Sequence, residues 1–263
     1  MQILNRFLLP GLSVALILSL VSQRGRSQGV LAPQGPPAPS MKTLDQTEPR
    51  IPVSGPMAIT TPGSYYLTGN ILAGDDIASP FTITSSQVTF DLRGYSIFCA
   101  NSTSGIEVNS GDQVVIQNGS IRGGAFGVSV ADVNAGVGSV KLERLQITAA
   151  TSAGISASGA NRAIVVSDCI LSNIGSTDPK GVVVPANAII GHAGMTVRNC
   201  VIDTVYPTSG TKSCGLRLTA DAFAIGNTIS NCGVGINSGK IQNNLTNHCG
   251  STFSGTTDAG GNN

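Results

Sequence analysis

The chain has 263 residues, a formal net charge of +1, no Trp, 33 glycines and only 11% charged residues. Without any Lys/Arg run, the charge excludes a partner held by concentrated positive charge, so neither nucleic acid nor an anionic membrane surface is expected. The abundance of Gly, Val, Ile, Ser, Thr and Asn disfavours helix and suits short strands joined by tight turns.

In chain order, Arg6 and the apolar stretch from Phe7 to Val21 read as a signal peptide over 1–22, too short to span a bilayer comfortably. No later segment could cross a membrane, so the mature chain is expected to lack a transmembrane domain and to be secreted or held at the cell envelope. Residues 23–50, with Pro33, Pro36, Pro37 and Pro39, read as an extended linker. The folded domain is expected over 51–250, where Pro62-Gly63-Ser64-Tyr65-Tyr66-Leu67 gives a turn and a strand covering its end. Residues 251–263, rich in Gly, Thr and Asn, read as a flexible tail.

Between these ends lies an internal repeat. Gly followed by alternating apolar residues recurs at Gly105-Ile106, Gly127-Val128, Gly154-Ile155, Gly181-Val182, Gly215-Leu216 and Gly235-Ile236, at intervals of 22, 27, 27, 34 and 20 residues. Alternating with it is a second pattern ending at Asn, Asp or Arg: Val114-Ile116-Asn118, Val140-Leu142-Arg144, Ile164-Val166-Asp168, Met195-Val197-Asn199 and Phe223-Ile225-Asn227. An aliphatic residue follows each, at Ile121, Ile147, Leu171, Ile202 and Ile229, and Ile241-Asn243-Leu245 closes the series. One such unit cannot bury its apolar side alone, whereas stacking at about 4.8 Å per coil does so and builds parallel sheets. The expected fold is therefore all-β: a single-stranded right-handed parallel β-helix, a solenoid of about six to seven coils. A β-sandwich would show strand spacings without this long superperiod. Gly fits a bend where a Cβ would crowd the chain, and Asn or Asp fits left-handed backbone with side chains able to ladder between coils.

The Val-x-Ile-x-Asn and Gly-Ile-x-Val coils, including MTVRNCVI from Met195 to Ile202, resemble bacterial right-handed parallel β-helix repeat proteins of the pectate-lyase-like superfamily. MKTLDQTEPRIP from Met41 to Pro52 and PGSYYLTGNI from Pro62 to Ile71 resemble the lead-in of exported members of uncharacterised function. The resemblance covers roughly Met41 to Asn247 and implies fold more than activity, because many functions share this scaffold. It also implies acidic polysaccharide as the first substrate class to test, with Ca²⁺ as cofactor only if the protein is a lyase; no other cofactor is expected. Hydrolases of this kind need paired carboxylates, and Gly191-His192-Ala193-Gly194 departs from their Gly-His-Gly motif.

Functional side chains on a solenoid are expected on insertions along one face. The two long excursions, Ser172 to Lys180 and Asp203 to Cys214, carry Asp178, Lys180, Asp203, Tyr206 and Lys212, with Arg217 facing outward beside them. Asp178, Lys180, Asp203 and Arg217 are the catalytic candidates; Tyr206, Lys212, Glu143 and Arg198 are the binding candidates. Solvated loop charge is the bland alternative. Glu143 and Arg198 belong to an outward stripe with Asp91, Gln117 and Ser167, a shallow glycan track or simply a wetted face. Cys169 and Cys200 should stack, as a disulfide or as two buried thiols, and Cys232 and Cys249 should stack, with a disulfide the preferred reading. No C-x-x-C pair points to a metal site. The function expected is an exported scaffold, glycan-associated or structural and adhesive at the cell surface; the alternative is a polysaccharide lyase or glycoside hydrolase.

Overall fold

Among the described residues, twenty-three strands, β1 to β23 in chain order, coil around one continuous apolar interior. The computed structural model describes residues 50–74, 77–99, 103–131, 138–158, 162–175, 186–206 and 213–263. The signal peptide over 1–22, the linker up to residue 49, and Asp178, Lys180, Gly181 and Lys212 lie outside the described residues.

Three parallel ladders run along the stack. The first joins β1 (Arg50–Val53), β3 (Gly63–Leu67), β6 (Val88–Asp91), the starts of β9 (Val114–Gly123) and β11 (Gly138–Thr148), β13 (Arg162–Ser167), β16 (Met195–Arg198), β19 (Phe223–Ile225), and the ends of β21 (Val234–Gln242) and β23 (Ser251–Asp258). The second joins β4 (Ile71–Ala73), β7 (Ser96–Cys99), the ends of β9 and β11, β14 (Ile170–Ile174), β17 (Val201–Val205), β20 (Thr228–Ser230) and β22 (Leu245–Asn247). The third joins β2 (Met57–Ile59), β5 (Phe81–Ile83), β8 (Ser104–Val108), β10 (Phe126–Ala131), β12 (Ala153–Ser158), β15 (Asn187–Ile190), β18 (Cys214–Arg217), and the starts of β21 and β23. Each return to the next level is a crossover between parallel strands, which chains of L-residues make right-handed. The fold is the right-handed parallel β-helix read from the repeat.

The interior is built one side chain per level. Along the second ladder Ile71, Ile97, Ile121, Ile147, Leu171, Ile202 and Ile229 stack in register, all buried. Against this column lie the glycines of the third ladder. A Cβ on Gly127 would stand 2.4 Å from Ile147 Cγ2 and 2.7 Å from the Gly154 carbonyl, and Gly105, Gly154 and Gly215 are crowded the same way. The glycine requirement is therefore steric.

The stack extends beyond the six or seven coils expected. Strand β3 is a full level between β1 and β6 rather than a cover. At the other end, the segment read as a flexible tail forms β23, paired with β21 over Ser251 to Asp258, because its alternating residues continue the ladder. Register readings change as well. The glycine column passes from Gly154 to Ala188 and then to Gly215, since Ile155 pairs with Ile189 and Ile189 with Leu216. In β19 the residue facing in is Ala224, paired with Val197, while Phe223 is 42% exposed beneath the Lys240 ammonium at 5.2 Å from its ring centre. Leu245, expected inside, is exposed, and Thr246 pairs with Ile229 instead.

At the bend between the first two ladders, Asn118, Arg144, Asp168, Asn199, Gly226 and Asn243 all have φ between 51° and 64°, the left-handed turn predicted for Asn and Asp. The next residue of each level points inward, and that column runs Leu145, Cys169, Cys200, Asn227, Asn244, all nearly fully buried. The amides form the ladder. Asn227 Nδ2 donates to Val197 O and to Asn244 Oδ1, at 3.0 and 2.9 Å. Asn244 Nδ2 donates to Ala224 O and to Asn262 Oδ1, at 2.9 and 3.0 Å. Backbone N–H groups of Cys200, Asn227 and Asn244 donate to the carbonyl oxygen of the amide one level on. The ladder residue thus sits one position after the left-handed residue, so Asn227 fills the inward slot and Gly226 the turn.

Gly127→Ala is expected to lower unfolding stability by about 1–3 kcal/mol, through displacement of Ile147, in denaturant titration. Asn244→Ala, which leaves buried amide groups of two levels without partners, is expected to cost about 1–3 kcal/mol in the same assay.

Candidate functional site

Asp203 lies on the outer side of β17, in register with Ser172 and Ser230. Its Oδ1 accepts from Ser230 Oγ and Asn231 Nδ2, both at 2.7 Å, and its Oδ2 accepts from Thr204 Oγ1 at 3.2 Å. The Ser230 hydroxyl first, then the Asn231 amide, hold this carboxyl below its ordinary range. Thr204 and Asn231 occupy a second left-handed column, with φ of 56° and 54°, so the carboxylate fastens two levels at a bend. Arg217, the other described catalytic candidate, stands exposed on β18 in the third ladder, in register with Ile190 and Asn237. The two belong to different faces. Tyr206 flanks the bend after β17, its hydroxyl donating to Asn173 Oδ1 at 3.4 Å.

The outward stripe exists as read: Asp91, Gln117, Glu143, Ser167 and Arg198 pair level by level. Its middle is not open, however. Glu143 is 8% exposed and Ser167 1%. Lys141 Nζ and Arg144 Nη2 lie 2.5 and 2.8 Å from the Glu143 carboxylate, and the Lys141 hydrogen bond is foremost in holding its proton affinity below the usual carboxylate range. Arg198 is exposed. Glu143 therefore serves as an anchor for neighbouring cations, while Arg198 is available to solvent.

Beside this stripe, at the bend between the first and second ladders, is an open groove of about 360 Å³ lined by Gly94, Gly119, Ser120, Arg144, Leu145, Gln146, Asp168 and Ile170. Sequence reading assigned Arg144 and Asp168 only to the turn. Arg144 is held at the rim: Nε donates to Asn118 Oδ1 at 2.7 Å, and Nη2 donates to Gln117 Oε1 at 3.3 Å and Glu143 Oε1 at 2.8 Å. One level on, Asp168 is exposed, with Oδ1 3.5 Å from the Asn199 amide nitrogen. Ile170 is 49% exposed, an aliphatic patch at an outward strand position. The groove thus brings together a guanidinium, a carboxylate, a carboxamide, a hydroxyl and an apolar surface. Among the described residues of its lining, Asp168 is the one carboxylate, where glycoside hydrolysis uses a facing pair. Among the described residues no group of three His, Cys, Asp or Glu side chains converges to hold a metal ion, and no helix is long and apolar enough to cross a membrane. His192 sits in the turn between β15 and β16, its carbonyl accepting from Met195 N–H at 3.1 Å.

Cys169 with Cys200 and Cys232 with Cys249 stack as their spacing predicts, and the six cysteines stand as thiols in this structure. Cys169 and Cys200 occupy successive levels of the inward column, each donating to a carbonyl two residues back at 3.3 Å. Cys232 Sγ and Cys249 Sγ are 2.9 Å apart. Cys99 is buried, which pushes its thiol up to about 11.

The fold and groove define a parallel β-helix protein with a cleft of mixed polar and aliphatic lining at one bend. No family model, no curated protein and no solved structure matches the chain.

The Asp203 contacts fix the sign of its pH dependence. A carboxyl whose folded pKa lies below its unfolded value contributes stability above the unfolded value, about 4, and loses it as pH falls through the folded one. The melting-temperature difference between the parent and Asp203→Asn is therefore expected to be largest near neutrality and to shrink below about pH 4.

Proposed function

We propose that this chain is an exported β-helix scaffold that engages glycan at or beyond the cell surface, a reading to which the resemblance of its coil motifs to the bacterial pectate-lyase-like group lends support. The groove at the first bend carries this reading. Its volume of about 360 Å³ suits one or two sugar rings, and its lining pairs hydroxyl-binding groups with an aliphatic face. Arg144 is pre-oriented by Asn118, Gln117 and Glu143, so little side-chain freedom is lost when a ligand arrives. The single carboxylate among the described lining residues and the engagement of Asp203 in bend hydrogen bonds favour binding over paired-carboxylate hydrolysis. Export rests on Arg6 and the apolar stretch after it.

The test is a titration of the mature chain against neutral and uronate-containing oligosaccharides, with and without Ca²⁺, following both binding and product formation. Binding without new reducing ends or unsaturated products is expected. Gln146→Ala and Asp168→Asn, the latter keeping a residue that tolerates the left-handed turn, should each weaken it about tenfold with little change in melting temperature. A blank panel, or binding indifferent to both substitutions, would remove the groove from consideration, and turnover would move the protein to the lyase or hydrolase class.

A further inference from the structure

The C-terminal end of the stack holds two sulfur atoms that the glycan reading does not use. Ser230 pairs with Asn247, Gly250 N–H donates to the Cys232 carbonyl at 3.0 Å, and Val234 pairs with Ser251. This continuous register sets Cys232 and Cys249 directly one above the other. The residues before them, Asn231 and His248, have φ of 54° and 51°, so both cysteines leave the same kind of bend. A coil rise of about 4.8 Å lies within the Cα separation that a disulfide tolerates. From 2.9 Å, the sulfurs need only approach by about 0.9 Å to reach bonding distance.

We propose that Cys232 and Cys249 are a thiol–disulfide exchange site, which accepts a low-molecular-weight disulfide of the glutathione class and closes into an intrachain bond that pins the terminal coil. Cys249 is half-buried and reachable, whereas Cys232 is 7% exposed. The Cys249 thiolate attacks one sulfur of the small disulfide, whose S–S bond breaks, and one glutathione thiolate leaves. The Cys232 thiolate then attacks Cys249 Sγ in the mixed disulfide, and the second glutathione thiolate leaves. The two protein protons end on the two glutathione thiols, so two cysteines are oxidised as one small disulfide is reduced. Burial first, and Cys249 next to it second, raise the proton affinity of Cys232, which agrees with its acting second.

The position gives the bond its effect. Strand β22 is mostly exposed and β23 has no buried residue, so this coil has the least apolar contact to hold it. The other cysteines are placed differently. Cys169 and Cys200 are each 1% exposed in the interior column, and Cys99 and Cys214 are buried. None of these four offers a reagent a path.

The experiment treats the whole chain with oxidised glutathione at about pH 8, followed by acid quench, intact mass, peptide mapping and hydrogen exchange. The expected product has lost two hydrogens, retains no glutathione, is restored by dithiothreitol and maps to Cys232–Cys249. Exchange should slow by about tenfold or more in Leu245–Asn247 and Ser251–Asp258, and stay unchanged in Phe81–Ile83. Cys232→Ser should trap one glutathione on Cys249. No reaction, a persistent mixed disulfide in the parent chain, a bond at other cysteines, or a bond without slower exchange would each overturn the proposal; the parent-chain measurement stands even if the variant does not fold.

Discussion

Every level of this molecule has two open needs: an apolar inner side that must leave water, and a row of backbone donors and acceptors above and below. Placing another level on top meets both at once, because parallel pairing fixes the register that also sets Ile97 over Ile71 and Ile121 over Ile97. A level slipped by one residue would turn these aliphatics outward and put Ser96 and Ser120 inside. The hydrogen-bond ladder and the interior therefore enforce the same alignment.

That alignment leaves the bends as the places where side-chain identity varies with little cost to packing. The left-handed positions accept Asn, Asp, Gly and even Arg144, and the residues around them reach solvent. The groove arises there. Its lining comes from adjacent levels of chain far apart in sequence, and the rigid ladders on either side hold Arg144 and Asp168 in place. The same logic explains Asp203: at a bend, a carboxylate can tie its own level to the next through Ser230 and Asn231.

The superperiod made the fold legible, since Gly127, Val128 and their counterparts recur only if strands stack. The left-handed Asn and Asp turns and the cysteine stacking were legible for the same reason. Two registers were not. Phe223 and Ile225 looked like interior residues because a pattern of alternating size does not show which parity faces in, and at that level the buried inward residue is the small Ala224. Gly181 looked like a column member because it opens a Gly-Val-Val-Val run of the repeat's form, whereas the described ladder takes its strand at Asn187–Ile190. The terminal coil was hidden by composition: Gly, Ser and Thr suggest freedom, yet an existing edge organises them. The groove was out of reach, because Ser120, Gln146 and Ile170 stand in different repeats and only the pairing of β9, β11 and β14 brings them side by side.

The inward column beside the first bend changes character along the axis, from Leu145 through the two thiols Cys169 and Cys200 to the carboxamides Asn227 and Asn244. Each stretch of the column therefore bears its own chemical address. Were the coils interchangeable, a nascent or partly unravelled chain could settle a storey too high or too low with little penalty. Here such a misplacement would thrust an amide among alkyl groups, so the spine of the solenoid proofreads its own winding.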